Sequence, residues 1–453
     1  MEVILVGTNI DYYGGKKIED PKILNEIAEI EKGTESYDSD ILKINGKIKC
    51  KFSNSTTYIY LGEKLGDPGG EGAVFKTSID GLVAKIYWPK MRTALRKEKL
   101  NFMVNNQIED KTICWPKGIL TYQDKFVGIV MPLIDHDVYE TIDTDLGHDE
   151  VAQFLKKDRR NALKILINVM EIFEKLKANN IVMGDINFND FMINKHNFEV
   201  ILIDLDGAQI DKFPCVTCKE RFNAPELFVN VIDSEENEEY VANNYNHQMY
   251  STFLRDRYGL AVYSFMLLMC VKPFNDILCL SRNEFGYNLT DERLTIANRK
   301  ANQYSYRWAH LPFFVREAFH KCFTTKNPND RLTPNQWKLV FKHYLDLLNS
   351  EALSSLDADC LVLYDNKAID YSVLKNVKMV LKARISSTAF TMKDAVKRLS
   401  LYLKKEGIID SIDVKLISEY LKTKCVFKTE RFTFKLLFNI GVLKKVSLEY
   451  KSL

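Results

Sequence analysis

Residues 179 to 210 read NNIVMGDINFNDFMINKHNFEVILIDLDGAQI, and four aspartates fall among them: Asp185, Asp190, Asp204 and Asp206. The last two close VILIDLD, an apolar β-branched run with the character of a buried strand. A carboxylate at the end of such a strand is costly unless it is paired, hydrogen-bonded or facing a cation. A surface turn capped by its own side chain accounts for Asp190 or Asp206 taken singly. The four together point instead to a site for a metal and phosphate, and such a site needs parts elsewhere in the chain.

Those parts are present upstream. DPGGEGAVFK at 67 to 76 sets Gly69, Gly70 and Gly72 between two strand patterns, where backbone amides can turn onto phosphate oxygens. A hairpin turn is equally rich in glycine, so the cluster alone decides nothing. Thirteen residues past Gly72, Lys85 stands inside the strand-like VAKIY, and a lysine there either reaches solvent or meets an anion. Glu98, on the helical pattern that follows, is the expected partner for Lys85, although exposed charge beside Arg96, Lys97 and Lys99 is its other reading.

The chain changes character along its length. ILKINGKIKCKF alternates around an Asn-Gly turn, and TYIYLG, GAVFKTS, GLVAKIYW and FVGIVMPLI continue the strand pattern, which predicts an antiparallel sheet. RTALRKEKLNFMVNN at 92 to 106 predicts one helix. From about residue 150 helical patterns dominate, as in VAQFLKKDRRNALKILINVMEIFEKLKANN, and GLAVYSFMLLMCV is too short to span a bilayer and reads as a buried helix. PKILNEIAEIEK, opened by Pro21, predicts a helix that could dock on the one carrying Glu98.

A chain of 453 residues with 46% hydrophobic content can bury sizeable cores. Its formal charge of +2 hides an asymmetry: residues 371 to 453 hold 18 Lys and Arg against 7 Asp and Glu, or +11, leaving −9 elsewhere. Nine scattered cysteines suit a reducing cytosol, and Cys215 and Cys218 lack the second pair that a zinc site requires. MEVILVGTNID carries no basic segment of the signal-peptide kind. These features predict a cytoplasmic protein without a transmembrane segment.

The ordered motifs resemble the protein kinase superfamily, and more narrowly an atypical bacterial Ser/Thr branch of it. GGEGAVF with VAKIY is similar to the glycine-rich loop and its lysine, MPLI at 131 to 134 to the hinge, GDINFNDFMI to the catalytic loop, LIDLDG to the metal-binding motif, and FNAPELF to the end of the activation segment. The resemblance implies an α+β, bilobal fold: an antiparallel N-lobe at 56–134, a helical C-lobe at 135–350, an extension at 1–55 and a basic, mainly helical module at 351–453. It implies Mg²⁺-dependent (or Mn²⁺-dependent) phosphoryl transfer from ATP to Ser or Thr of a protein. Asp185 would be the catalytic base, Lys85 the phosphate-binding lysine oriented by Glu98, and Asp190 and Asp204 the metal ligands. Gly69, Gly70, Gly72, Val74, Met131 and Leu133 would surround the nucleotide, with Glu226, Asp256 and Arg331 as structural residues.

The chain also departs from that pattern. Asp67 replaces the first loop glycine, Gly184 stands where an arginine precedes the base, Asn187 replaces a lysine, and Asp190 an asparagine. Asp67, Gly184 and Asn187 support an alternative, a pseudokinase or nucleotide-gated binding module, whereas Asp190 still offers a hard oxygen ligand; a kinase fold acting on a non-protein acceptor is a further alternative. His136 and His247 receive no role. The basic C-terminal module is expected to form helices, including TMKDAVKRLSLYLKKEG, and to dock an acidic protein rather than nucleic acid.

Overall fold

The structure is a computed structural model that describes residues 17–31, 44, 46–142, 158–215, 222, 224, 228–229, 244–245, 250–269, 273, 311–325, 327–349 and the strands at 378–383, 426–428, 432–439 and 442–451. It is an α+β fold. The chain groups into two compact units, Met1–Ile142 with Lys175–Lys219 and Glu226–Asp256, and Asp143–Glu174 with Glu220–Pro225 and Arg257–Leu453.

In the first unit, helix α1 (Pro21–Glu31) precedes seven strands: β1 (Ile48–Phe52), β2 (Thr56–Ile59), β3 (Leu61–Leu65), β4 (Gly72–Thr77), β5 (Leu82–Tyr87), β6 (Gly118–Tyr122) and β7 (Lys125–Pro132). They form one antiparallel sheet in the order β2-β1-β6-β7-β5-β4-β3, as the alternating patterns predict. The interior strand β5, flanked by β4 and β7, is nearly continuous in its burial. Gly128 lets β7 pass close, since a Cβ there would lie 2.1 Å from the Lys85 carbonyl oxygen.

Helix α2 (Ala94–Asn105) lies between β5 and β6 in the chain, and the Thr93 side chain accepts from the Arg96 amide at its start. Its buried stripe is Arg96, Lys99, Leu100, Met103 and Val104, the spacing of one helix face. Helix α1 docks on it: Ile18, Ile23 and Ile27 bury together against Leu24, Leu95 and Tyr250, and the Glu26 carboxylate accepts from the Leu95 amide at 3.1 Å. EVILVGT lies outside the described residues.

Beyond the sheet come β8 (Tyr139–Thr141), helix α3 (Arg159–Ala178), β9 (Ile181–Val182), β10 (Phe191–Asn194), β11 (Val200–Leu202) and β12 (Gln209–Ile210). Strand β10 pairs with β11 and β8, and β12 pairs with β9. Short strands β13 (Phe228–Val229) and β14 (Asn244–Tyr245) pair with each other, and helix α4 (Phe253–Met269) follows.

The second unit contains helices α5 (Phe313–Thr324) and α6 (Pro334–Asn349). Phe265 meets Phe319 edge to face at 5.3 Å, and Trp337 stacks on Phe341 at 5.1 Å, so aromatic packing builds this core. Arg331 is buried, with its guanidinium 4.8 Å from the centre of the Tyr258 ring and its Nε donating to the Cys322 carbonyl at 3.1 Å. Its expected partner Glu226 lies outside the described residues.

Parts of the C-terminal module correct the expectation of helices. Strands β15 (Lys378–Ala383), β16 (Val426–Lys428), β17 (Phe432–Asn439) and β18 (Val442–Lys451) form an antiparallel sheet in the order β15-β18-β17-β16. In FTFKLLF, Phe432, Phe434 and Leu436 alternate with Thr433 and Lys435 at a period of two, which favours a strand. TMKDAVKRLSLYLKKEG lies outside the described residues. Among the described residues, no helix is long and apolar enough to cross a membrane.

Candidate active site

Lys85 is the centre of the site. Strand β5 carries it between Val74 of β4 and Ile129 of β7, and its side chain is 9% exposed. A buried ammonium needs anions, and it has three carboxylates: Asp204, Asp206 through both oxygens at 2.9 and 3.0 Å, and Glu71 at 3.3 Å. Together they outweigh the effect of burial and hold the Lys85 ammonium well above the ordinary lysine range.

Backbone bonds fix the two aspartates. Leu202, the last residue of β11, donates to Thr112 and accepts from Cys114, both at 2.8 Å, and Ile203 donates to the Asp190 carbonyl at 2.7 Å. Asp204 then takes a left-handed conformation, φ 63°, which a short polar side chain tolerates, and a 3₁₀ turn over Leu205–Gly207 brings Asp206 back to the same lysine. Asp206 is buried and also accepts from the Tyr87 hydroxyl at 2.7 Å, with Arg96 at 3.5 Å.

The two carboxylates are shifted in opposite directions. Burial pushes Asp206 upward, but Lys85, Arg96 and the Tyr87 hydroxyl overcome it and hold the group far below the usual carboxylate range. Desolvation draws Asp204 upward against the pull of Lys85, and the Asp206 and Glu71 charges add to it. Water relieves part of that push, because the Asp204 side chain is 47% exposed.

Asp185 is half-buried in the bend after β9, and Asp190 is buried in the 3₁₀ turn that follows. The Asp190 carboxylate accepts from the Asn187 amide at 2.7 Å, which ties the loop into a closed turn. Asp256, in the first turn of α4, accepts from the Met183 and Gly184 amides at 2.9 and 2.8 Å, so it holds the backbone just before Asp185. Burial pushes Asp256 up to about 6 despite those two bonds. Gly184 has φ +74°, and a Cβ there would lie 2.8 Å from the Cys215 sulfur and 3.3 Å from the Arg255 guanidinium, so this backbone accepts no larger residue without movement.

The structure does not bring Glu98 to Lys85. Glu98 instead receives Lys212 at 2.5 Å, on a pair that is 58% and 60% exposed respectively. Glu71 stands with Lys85 in its place, and both terminal nitrogens of Arg96 grip Glu71, at 3.0 and 2.6 Å. Burial pushes Glu71 up, yet Arg96 and then Lys85 prevail and hold it below the ordinary range. Sequence reasoning missed Glu71, Arg96 and Tyr87, and it left Asp206 outside the direct partners of Lys85. A signal for Arg96 existed: counting back by four and seven from Leu100 and Met103 reaches Arg96 and Lys99, and never Glu98.

The expected loop glycines divide by cause. Gly72 is fixed by packing, since a Cβ there would lie 2.1 Å from the Ile86 carbonyl oxygen, whereas Gly70 meets nothing within 4 Å. Gly69 donates to the Gly72 carbonyl at 2.9 Å and accepts from the Trp88 indole at 3.0 Å. Val74 and Met131 are half-buried on β4 and β7, and Leu133, just past β7, is exposed.

One carboxylate oxygen from each of Glu71, Asp204 and Asp206 lies within 4.8 Å of the other two. Three hard oxygen donors already holding a cationic ammonium fit a divalent ion such as Mg²⁺ in charge and ligand type, while Asp190, the other expected metal ligand, is not in this cluster.

No family model matches the chain. Protein kinase YegI of Escherichia coli strain K12 is 27% identical over 324 residues, which cover 65% of this chain and 46% of that protein. Protein kinase YegI of Escherichia coli O157:H7 is 29% identical over 316 residues, 64% of this chain and 45% of that protein. The chain spans about half the length of the curated relatives it matches. These similarities are distant, and they support a protein kinase-like reading of the chain.

Proposed function

We propose that this chain transfers the terminal phosphoryl group of ATP to a Ser or Thr hydroxyl of a protein. The observation that carries the reading is the meeting of Lys85, beneath the glycine-rich turn, with Asp204, 119 residues away in sequence. In this reading residues 56–134 and 135–350 act as the two lobes. Lys85 binds the nucleotide phosphates, Gly69 to Gly72 cover them, and Val74, Met131 and Leu133 flank the base. Asp204 and Asp190 would hold Mg²⁺, or Mn²⁺ in its place. When bound, the ion neutralises charge on the phosphates. Asp185 accepts the proton of the attacking hydroxyl, and Asp256 keeps the preceding backbone in place while it does so. Asp206 stays ionised and keeps Lys85 protonated, which preserves a cation for the phosphates.

A second reading is a nucleotide-gated binding module, favoured by Asn187, which is only 4% exposed and uncharged where a cation would steady the transferred group. One experiment separates the two: radiolabelled ATP with Mg²⁺ or Mn²⁺, the full chain, and Asp185→Ala beside it. Phosphate incorporation that the variant loses by about 10²-fold or more supports transfer. ATP binding without incorporation in either protein replaces it with the binding module. Mass spectrometry of the product distinguishes a protein acceptor from a lipid or small molecule. The basic C-terminal module is proposed to dock an acidic protein substrate, and salt-dependent capture of that substrate checks it.

A further inference from the structure

In this site the loop that would cover a nucleotide also supplies the acid that holds the lysine. Glu71 sits between Gly70 and Gly72, and the loop is clamped on both sides of it: Trp88 donates from its indole to Gly69 at 3.0 Å and from its amide to Glu71 at 2.9 Å. Its carboxylate reaches Lys85 at 3.3 Å and is gripped by Arg96 at 2.6 and 3.0 Å. The buried stripe of α2 offers no acid, only Arg96 and Lys99 among its charged residues. The helix therefore cannot orient Lys85 directly. It acts through a cation, Arg96, on an acid carried by the loop.

We propose that Glu71 is the positioning carboxylate for Lys85 and that Arg96 is its clamp, so that loop closure and lysine orientation form a single event. This rests on the phosphoryl-transfer reading. If the loop lifts, Glu71 leaves with it and Lys85 is left to Asp204 and Asp206. Lys85 then competes with a cation for Asp204 rather than facing the phosphates. With the loop down, Glu71 shares the ammonium and Arg96 fixes the carboxylate's two oxygens in one plane, the geometry of a bidentate pair. Glu98 takes no part, because it is paired with Lys212 at the surface.

The test uses the full chain with Mg·ATP and three variants: Glu71→Gln, Glu98→Gln, and Glu71→Gln combined with Arg96→Glu. The last returns an acid to the helix and removes the one in the loop. Glu71→Gln is expected to lower kcat about 10- to 100-fold while KM for ATP holds or falls, since a negative charge beside the phosphates is gone. Glu98→Gln is expected to stay within twofold of wild type. The double variant is expected to recover at least tenfold of the lost kcat, which a merely structural role for Glu71 would not allow.

A readout without nucleotide runs alongside: the rate at which an acetylating reagent modifies Lys85, followed by mass spectrometry. It should rise about fivefold or more in Glu71→Gln and stay unchanged in Glu98→Gln. Wild-type kcat and unchanged Lys85 labelling in a folded Glu71→Gln protein overturn the proposal, as does loss of both in Glu98→Gln. If Glu71→Gln fails to fold, Glu71→Asp serves: a shorter acid that leaves kcat and labelling untouched overturns it equally. A wild-type chain that labels as expected but transfers no phosphate refutes the phosphoryl-transfer reading and leaves the Glu71–Lys85 pairing standing.

Discussion

The turn after β11 and helix α2 both bring charge to the surroundings of Lys85, and different physics holds each of them. The turn after β11 is fixed by backbone hydrogen bonds on both sides, through Thr112, Cys114 and Asp190, and it presents Asp204 and Asp206. Helix α2 is fixed by packing, through its own buried stripe and through the isoleucines of α1, and it presents Arg96 and Lys99. The turn places its carboxylates wherever the strand ends. The helix places its charges according to rotation about its axis, about 100° per residue, so neighbours in sequence point to different surroundings. Damage to the turn should therefore cost stability at once, while damage to the helix charges should tune the site.

The largest expected effect comes from the turn. Asp206→Asn removes the negative charge shared by Lys85 and the Tyr87 hydroxyl, turns one of its two acceptor oxygens into a donor, and leaves buried cations short of one charge. A loss of about 3–5 kcal/mol is expected from breaking a buried pair on one side, read by chemical unfolding. The pH dependence has a definite sign. The folded Asp206 is held far below its ordinary value of 3.8, so its stabilisation is present above that pH and is lost as the pH falls below it. Wild type should lose stability on acidification below about pH 4 more steeply than Asp206→Asn.

Asp256→Ala comes next. It strands the Met183 and Gly184 amides, both buried, without their acceptor. The expected cost is about 2–4 kcal/mol, from two unsatisfied donors at 1–3 each with partial relaxation. A fall in phosphate transfer at temperatures where the variant is still folded would show that the same bonds position the bend at Asp185. Unchanged unfolding would mean that water replaces the carboxylate.

These cases show what was legible in the sequence. The sheet could be read because short β-branched and aromatic runs separated by Gly-containing breaks mark its strands, Asp204 because an apolar β-branched run ends on it, and Asp256 through the kinase resemblance. Glu98 misled because RKEK offers three cations and one acid within four residues, and the acid was chosen by charge rather than by face. Glu71 was hidden by the glycines around it, which drew attention to backbone flexibility. The strands at 432–439 and 442–451 are hidden in the sequence by lysines that fit a solvated helix face equally well, although FTFKL keeps a strand's alternation.

Lys99 gives a smaller effect of opposite sign. It is buried, and no carboxylate lies within ion-pair distance of it among the described residues; burial pushes it down from 10.5 to about 8. A lysine depressed in the folded state destabilises wherever it must be charged there, so stability should rise as pH climbs from about 8 towards 10.5. Lys99→Met should stabilise the protein at pH 7 by on the order of 1–3 kcal/mol, and the gain should shrink above pH 8. A destabilised variant would mean that Lys99 holds an anion in solution, and the α2 stripe would then be an anion-binding face.

The smallest effect is expected where the sequence pointed most directly. Glu98 and Lys212 meet at 2.5 Å, but both side chains are more than half exposed, so water already solvates each charge and salt screens their attraction. Ordering two long side chains offsets much of what the contact gains. Glu98→Gln should leave the unfolding midpoint unchanged within error at physiological salt, and any shift should appear only at low ionic strength. This variant separates the two descriptions of α2 most sharply. If Glu98 orients Lys85, its loss must slow turnover at every salt concentration. If it is a surface charge, the only trace is a salt-sensitive shift in stability with turnover intact. Measuring the midpoint and the rate together at about 10 mM and 150 mM salt, where the screening length falls from about 30 to 8 Å, decides between them.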